Sequence, residues 1–78
     1  MEQIPVKFNS LRDGKNIVHV ALQCQGDVLL ICGRYIVNAK SILGIFSLPQ
    51  FNGVKLQVEC DNVEELKRQM RKLDILDE

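Results

Sequence analysis

The chain has no tryptophan, one tyrosine, one histidine, two prolines and no surplus of charge of either sign. Each shortage excludes something. Ten basic residues balance ten acidic ones, so there is no basic surface of the kind a phosphate backbone needs, and no attraction to an anionic membrane. No segment approaches the roughly 20 apolar residues of a membrane-spanning helix. Met1 to Ser10 has neither an apolar stretch nor a small-residue cleavage site, as a signal peptide would, so the expected location is the cytoplasm. The cysteines, Cys24, Cys32 and Cys60, are odd in number and lack CxxC spacing. They support neither a disulfide framework nor a zinc site, and no metal or other cofactor is expected.

What is present is the composition of an ordinary globular domain: 46% hydrophobic and 26% charged residues in a chain of 78. That length predicts a single domain over residues 1–78. Ile4 to Phe8 alternates as a strand does, and Pro5, which has no N–H to give a ladder, places that strand at an edge. Asn9 to Gly14 reads as a loop. A helix follows from Asp13 or Lys15 to Gln25, with Ile17, Val18, Ala21 and Leu22 as its buried stripe and Gly26 as its stop. Val28–Cys32 and Tyr35–Asn38 form a hairpin around Gly33-Arg34. A short helix begins near Ser41, a good cap, and Pro49 ends it or follows its end. After a turn at Phe51-Asn52-Gly53, the segment Val54 to Cys60 alternates as a half-buried strand. The last helix starts at Asp61 or Asn62. Its acidic first turn (Glu64, Glu65) and basic end (Arg71, Lys72) match the helix dipole, and Val63, Leu66, Met70 and Leu73 share one face. The order is β-α-β-β-α-β-α: an α+β open-faced sandwich, a four-stranded, mostly antiparallel sheet with helices on one face.

Fold order does not decide function. The residues that speak to function are Asn38-Ala39-Lys40-Ser41-Ile42-Leu43-Gly44-Ile45-Phe46-Ser47-Leu48. This stretch resembles the regulatory-serine motif of the histidine-containing phosphocarrier (HPr) family of the phosphoenolpyruvate:sugar phosphotransferase system, and the resemblance extends over nearly the whole chain. Pro49 departs from it, since family members commonly have a small or polar residue there. The family's other signature is a phosphorylatable histidine, a small residue, an arginine and a proline at the start of the first helix. Counted back from Ser41, it falls on Ser10-Leu11-Arg12-Asp13, of which Arg12 alone is retained.

The resemblance implies that Ser10 stands where an imidazole would take phosphate from Enzyme I and pass it on. A serine hydroxyl is a poor nucleophile without an adjacent base, and its phosphate ester does not readily transfer onward. Asp13 adds negative charge beside an incoming phosphate. The chain is therefore expected to be neither a competent carrier nor an enzyme, but a regulatory module acting by protein–protein contact. His19, the single histidine, is expected to be an exposed surface residue. Ser10 and His19 are the alternative acceptors if any phosphate transfer survives.

By the same resemblance Ser41 is a phosphorylation site for an HPr kinase/phosphorylase. Arg12, Lys15 and Lys40 would contact the anion or partner, and Ile42, Leu43 and Phe46 would dock a transcriptional regulator or another phosphotransferase-system protein. A phosphate on Ser41 would bring about −1.5 to −2 charges to a helix start. On the other face of the sheet, Leu29, Ile31 and Ile36 are expected to lie together as an apolar patch, which suggests a homodimer through the open sheet face or an edge strand. Assembly unrelated to phosphate is the remaining alternative.

Overall fold

The computed structural model describes residues 2–48, 53–59 and 61–77. The elements follow in the order β1 (Glu2–Pro5), α1 (Leu11–Leu22), β2 (Val28–Cys32), β3 (Tyr35–Asn38), α2 (Ile42–Phe46), β4 (Val54–Val58) and α3 (Val63–Lys72). The strands form one sheet in the order β1-β4-β2-β3, with every neighbouring pair antiparallel. This is the expected α+β architecture.

Period-two alternation sorts the strand residues by face. Ile4, Leu56 and Leu30 lie in register across three strands, as do Val58 and Val28, and all five are buried. Ile17, Val20 and Ala21 of α1, Ile45 of α2, and Leu66 and Met70 of α3 complete the core on that face. The opposite face carries Gln3, Gln57, Leu29 and Asn38 in one cross-strand row and Pro5, Lys55, Ile31 and Ile36 in the next. Gly33 closes the β2–β3 hairpin with φ 61°. A first turn residue with positive φ, followed by an ordinary one, gives the twist that a two-residue hairpin needs.

Several expectations shift. The first strand ends at Pro5 rather than Phe8, because the tail after α3 takes over there. Val6 bridges to Leu76, the Lys7 N–H donates to the Ile75 carbonyl at 2.8 Å, and the Asp77 N–H donates to the Pro5 carbonyl at 3.1 Å. Asp74 turns the chain out of α3 in the left-handed region (φ 58°), and its carboxylate takes the Lys7 ammonium at 3.0 Å. That bond raises the Lys7 pKa above its ordinary value, as a bond to Glu2 does for Lys67.

The first helix begins at Leu11, earlier than Asp13 or Lys15, because Ser10 caps it, and it ends at Leu22 rather than Gln25. Its buried positions are Gly14, Ile17, Val20 and Ala21. Val18 is half-buried and Leu22 is 61% exposed. The apolar run from Ile17 to Leu22 offers two nearly equivalent stripes, and contact with the sheet selects between them. Gly26 lies beyond the helix end and serves a different need. A Cβ on it would stand 2.0 Å from the Glu59 carbonyl oxygen, so only glycine lets the α1–β2 connection pass the end of β4. The Pro49 stop, the turn at Phe51-Asn52 and the strand position of Cys60 lie outside the described residues. Cys24 and Cys32 are buried and form no disulfide.

Candidate functional site

The site implied by the sequence lies where the start of α1 meets α2. Ser10 is extended (φ −156°, ψ 168°), and its Oγ accepts the Asp13 N–H at 3.3 Å. The Asp13 carboxylate reaches back to accept the Asn9 N–H at 2.9 Å. These two bonds are close to a reciprocal capping box. They take up backbone donors at the helix start and put a carboxylate there, where the dipole favours negative charge. Both contacts at this cap are to backbone, and among the described residues no carboxylate or imidazole bonds the Ser10 hydroxyl. The geometry is that of a cap, without an activated nucleophile.

Arg12 and Lys15 extend from the exposed side of α1. Between them, Gly14 is buried under the ring of Phe46: a Cβ at Gly14 would come within 2.7 Å of Phe46 Cε1 and 3.2 Å of Phe8 Cζ. Phe46 therefore spans from α2 to the first turns of α1 and is half-buried against the core. Of the three residues expected to form the docking patch, Leu43 projects furthest, at 80% exposure; Ile42 is half-buried. Ile45 and Leu48 are in the core. Leu11, 63% exposed beside Ser10 and Arg12, was missed by sequence reasoning. Its signal was available: an apolar side chain in a helix's first turn, outside the buried stripe.

Ser41 caps α2, with its Oγ accepting the Gly44 N–H at 3.2 Å. Its neighbour Lys40 lies apart from Arg12 and Lys15. The Lys40 ammonium donates to the Cys24 carbonyl at 2.8 Å, just past the C-terminal end of α1. Twelve helical residues span about 18 Å, so Lys40 and Arg12 serve opposite ends of α1. The cause is the favourable pairing of a cation with the free carbonyls at a helix end.

His19 is exposed, and its Nε2 lies 3.1 Å from the Gln23 side-chain amide. Nine residues of helix put it about 13 Å along the axis from Ser10, so the two are not one site. Among the described residues no group of three or more His, Cys, Asp or Glu could hold a metal ion, and no helix is long and apolar enough to cross a membrane. On the open face of the sheet, Ile31 and Ile36 are cross-strand neighbours and Leu29 follows on the same face. Leu29 and Ile31 are half-buried, and Ile36 is 61% exposed.

No family model and no curated protein matches the chain. Solved structures do. HPr-C-His from Thermoanaerobacter tengcongensis is 30% identical, with a TM-score of 0.69 over 94% of this chain and 90% of that one. A phosphocarrier protein HPr from Bacillus anthracis str. Ames shares the fold at 23% identity, with a TM-score of 0.65 over 92% of each chain.

Proposed function

The chain belongs to the HPr family, and we propose from this that it is a regulatory member of the sugar phosphotransferase system that no longer carries phosphate. One observation carries the reading. The residue at the acceptor position, Ser10, is spent as a helix cap, and Asp13 closes the same turn with a carboxylate. An incoming phosphoryl group would meet an unactivated hydroxyl and a negative charge. On this reading the protein is a non-catalytic cytoplasmic module, one domain long, working through protein partners and not through nucleic acid, membrane, metal or cofactor.

Ser41 is the switch in this proposal, and an HPr kinase/phosphorylase its modifying partner. Phosphorylation would set about −1.5 to −2 charges beside Leu43 and Ile42, giving a regulator or other phosphotransferase-system protein both an anion and an apolar contact. Arg12 and Lys15 flank the Phe46 end of that surface, with Leu11. A second reading, assembly through the sheet, draws support from the apolar side chains of Leu29, Ile31 and Ile36 on the open face.

The test has two arms, both read by intact mass. Incubated with ATP and the HPr kinase of its own host, the protein gains one phosphate and Ser41→Ala gains none. Incubated with phosphoenolpyruvate and Enzyme I, it gains none. Label from Enzyme I on Ser10 or His19 would make it a carrier after all. No label from the kinase would leave Ser41 as a helix cap and move the function to the sheet.

A further inference from the structure

The two edges of the sheet differ. The β1 edge is blocked. Pro5 offers no N–H, the tail pairs beside it through Val6–Leu76 and Asp77–Pro5, and Glu2 is held by Lys67 at 2.9 Å. Among the described residues, the β3 edge has no protection but its shortness, four residues. Tyr35-Ile36-Val37-Asn38 contains no proline and no charge, and no strand among the described residues pairs on its outer side. Exposure is highest there, with Tyr35 at 47% and Ile36 at 61%, whereas Leu29 and Ile31 further in are half-buried.

The register fixes which backbone groups face outward. The Ala39 N–H donates to the Val28 carbonyl at 2.9 Å, so that pair is hydrogen-bonded. Antiparallel pairs alternate, so Val37 and Tyr35 also point toward β2, and Ile36 and Asn38 point away. The Asn38 carbonyl already accepts the Ser41 N–H at 3.0 Å. Ile36 is thus the residue of β3 whose N–H and C=O both face outward without a bond to any described residue.

We propose that a second copy of this chain pairs with β3, antiparallel, with Ile36 of both copies on the two-fold axis, joining two four-stranded sheets into one of eight. The strand is self-complementary in this register, as an isologous contact requires. Each Ile36 exchanges both backbone bonds with its counterpart. Tyr35 stands opposite the partner's Val37, an aromatic–β-branched pair of the kind that stabilises sheets, and Arg34 stands opposite the partner's Asn38. A two-residue shift that pairs Ile36 with the partner's Asn38 would use the occupied Asn38 carbonyl and set Arg34 against the partner's Lys40. The zero net charge removes long-range repulsion between copies. Four residues per copy make a contact smaller than the roughly 1,600 Å² of a standard interface, so the dimer is weak and concentration-dependent. It does not depend on phosphate chemistry: failure of Ser41 to be modified leaves the pairing untouched, and a monomer leaves the phosphorylation test untouched.

Sedimentation equilibrium from about 10 μM to about 1 mM, the range where small interfaces associate, tests it. The average mass of the parent rises from 8.9 kDa toward twice that value. Ile36→Lys stays at the monomer mass throughout, and Ile31→Lys, one strand behind the edge, rises as the parent does. In the parent, amide exchange at Ile36 slows several-fold across the same range, a readout that needs no variant. A parent that stays monomeric, an Ile36 amide indifferent to concentration, or a dimer lost in Ile31→Lys but kept in Ile36→Lys would overturn edge pairing. The last result would point to face-to-face packing of the open sheets.

Discussion

Replacing Gly26 with alanine tests the tertiary argument at its tightest point. The added Cβ would lie 2.0 Å from the Glu59 carbonyl oxygen and 3.1 Å from its carbonyl carbon, where ordinary contact starts near 3.4 Å. The obstacle is backbone, so no rotamer change relieves it. Glu59 is not free to retreat, because its N–H donates to the Asp27 carbonyl at 3.1 Å and holds the end of β4 to the residue after Gly26. Overpacking costs about 1–3 kcal/mol, and a lost backbone hydrogen bond adds about 1 kcal/mol. Reduced freedom of the unfolded chain returns up to about 1 kcal/mol. The net loss is about 1–4 kcal/mol. With a urea slope near 1 kcal/mol/M for a protein this small, the unfolding midpoint falls by about 1–4 M. Equilibrium urea denaturation followed by circular dichroism measures it. A loss under about 1 kcal/mol would refute the reasoning, since it would mean that the connection moves away from β4 at little cost.

Gly44→Ala should act in the opposite direction. Gly44 lies inside α2, and a Cβ added there would meet nothing closer than 3.5 Å, so alanine should stabilise by about 0.5–1 kcal/mol through helix propensity, visible as a higher midpoint in the same assay. A third prediction concerns pH. Lys7 and Lys67 have pKa values raised in the fold by their hydrogen bonds to Asp74 and Glu2. A raised lysine pKa contributes stability at neutral pH that is lost only as the pH climbs through the folded value, above the ordinary lysine range. Melting temperatures from about pH 9 to about pH 12 should therefore fall less steeply for the Lys7→Met, Lys67→Met double variant than for the parent. Equal slopes would show that neither pair stabilises the fold.

Much of the fold was legible because its signals are local. Val54, Leu56 and Val58 alternate with polar residues, and the structure buries all three. The face of α3 that holds Leu66 and Met70 repeats at helical spacing. Ser41 and Asn62 cap the helices they precede. The stripe of α1 was legible only in part. Nearly every residue from Ile17 to Leu22 is apolar, so periodicity alone cannot phase the helix, and the burial of Val20 in place of Leu22 is decided by where the sheet lies. At the candidate site, a serine, with no histidine near it, was readable just before the first helix, but the use of Ser10 and Asp13 as a mutual cap was not. The partner of Lys40 was not legible either, since sequence shows only that it stands next to Ser41. Its side chain is long enough to find the free end of α1 instead.

The sequence by itself determined the element order, the edge position of the first strand through Pro5, and the capping serine ahead of the short second helix. Each is a property of a few consecutive residues. Only the tertiary structure decided that the tail would close the β1 edge from about 70 residues away, that Gly26 is required by Glu59, and that the β3 edge is left open. Those facts depend on which distant backbones approach one another, and hydrogen bonds between remote segments leave no period or motif in the chain to read.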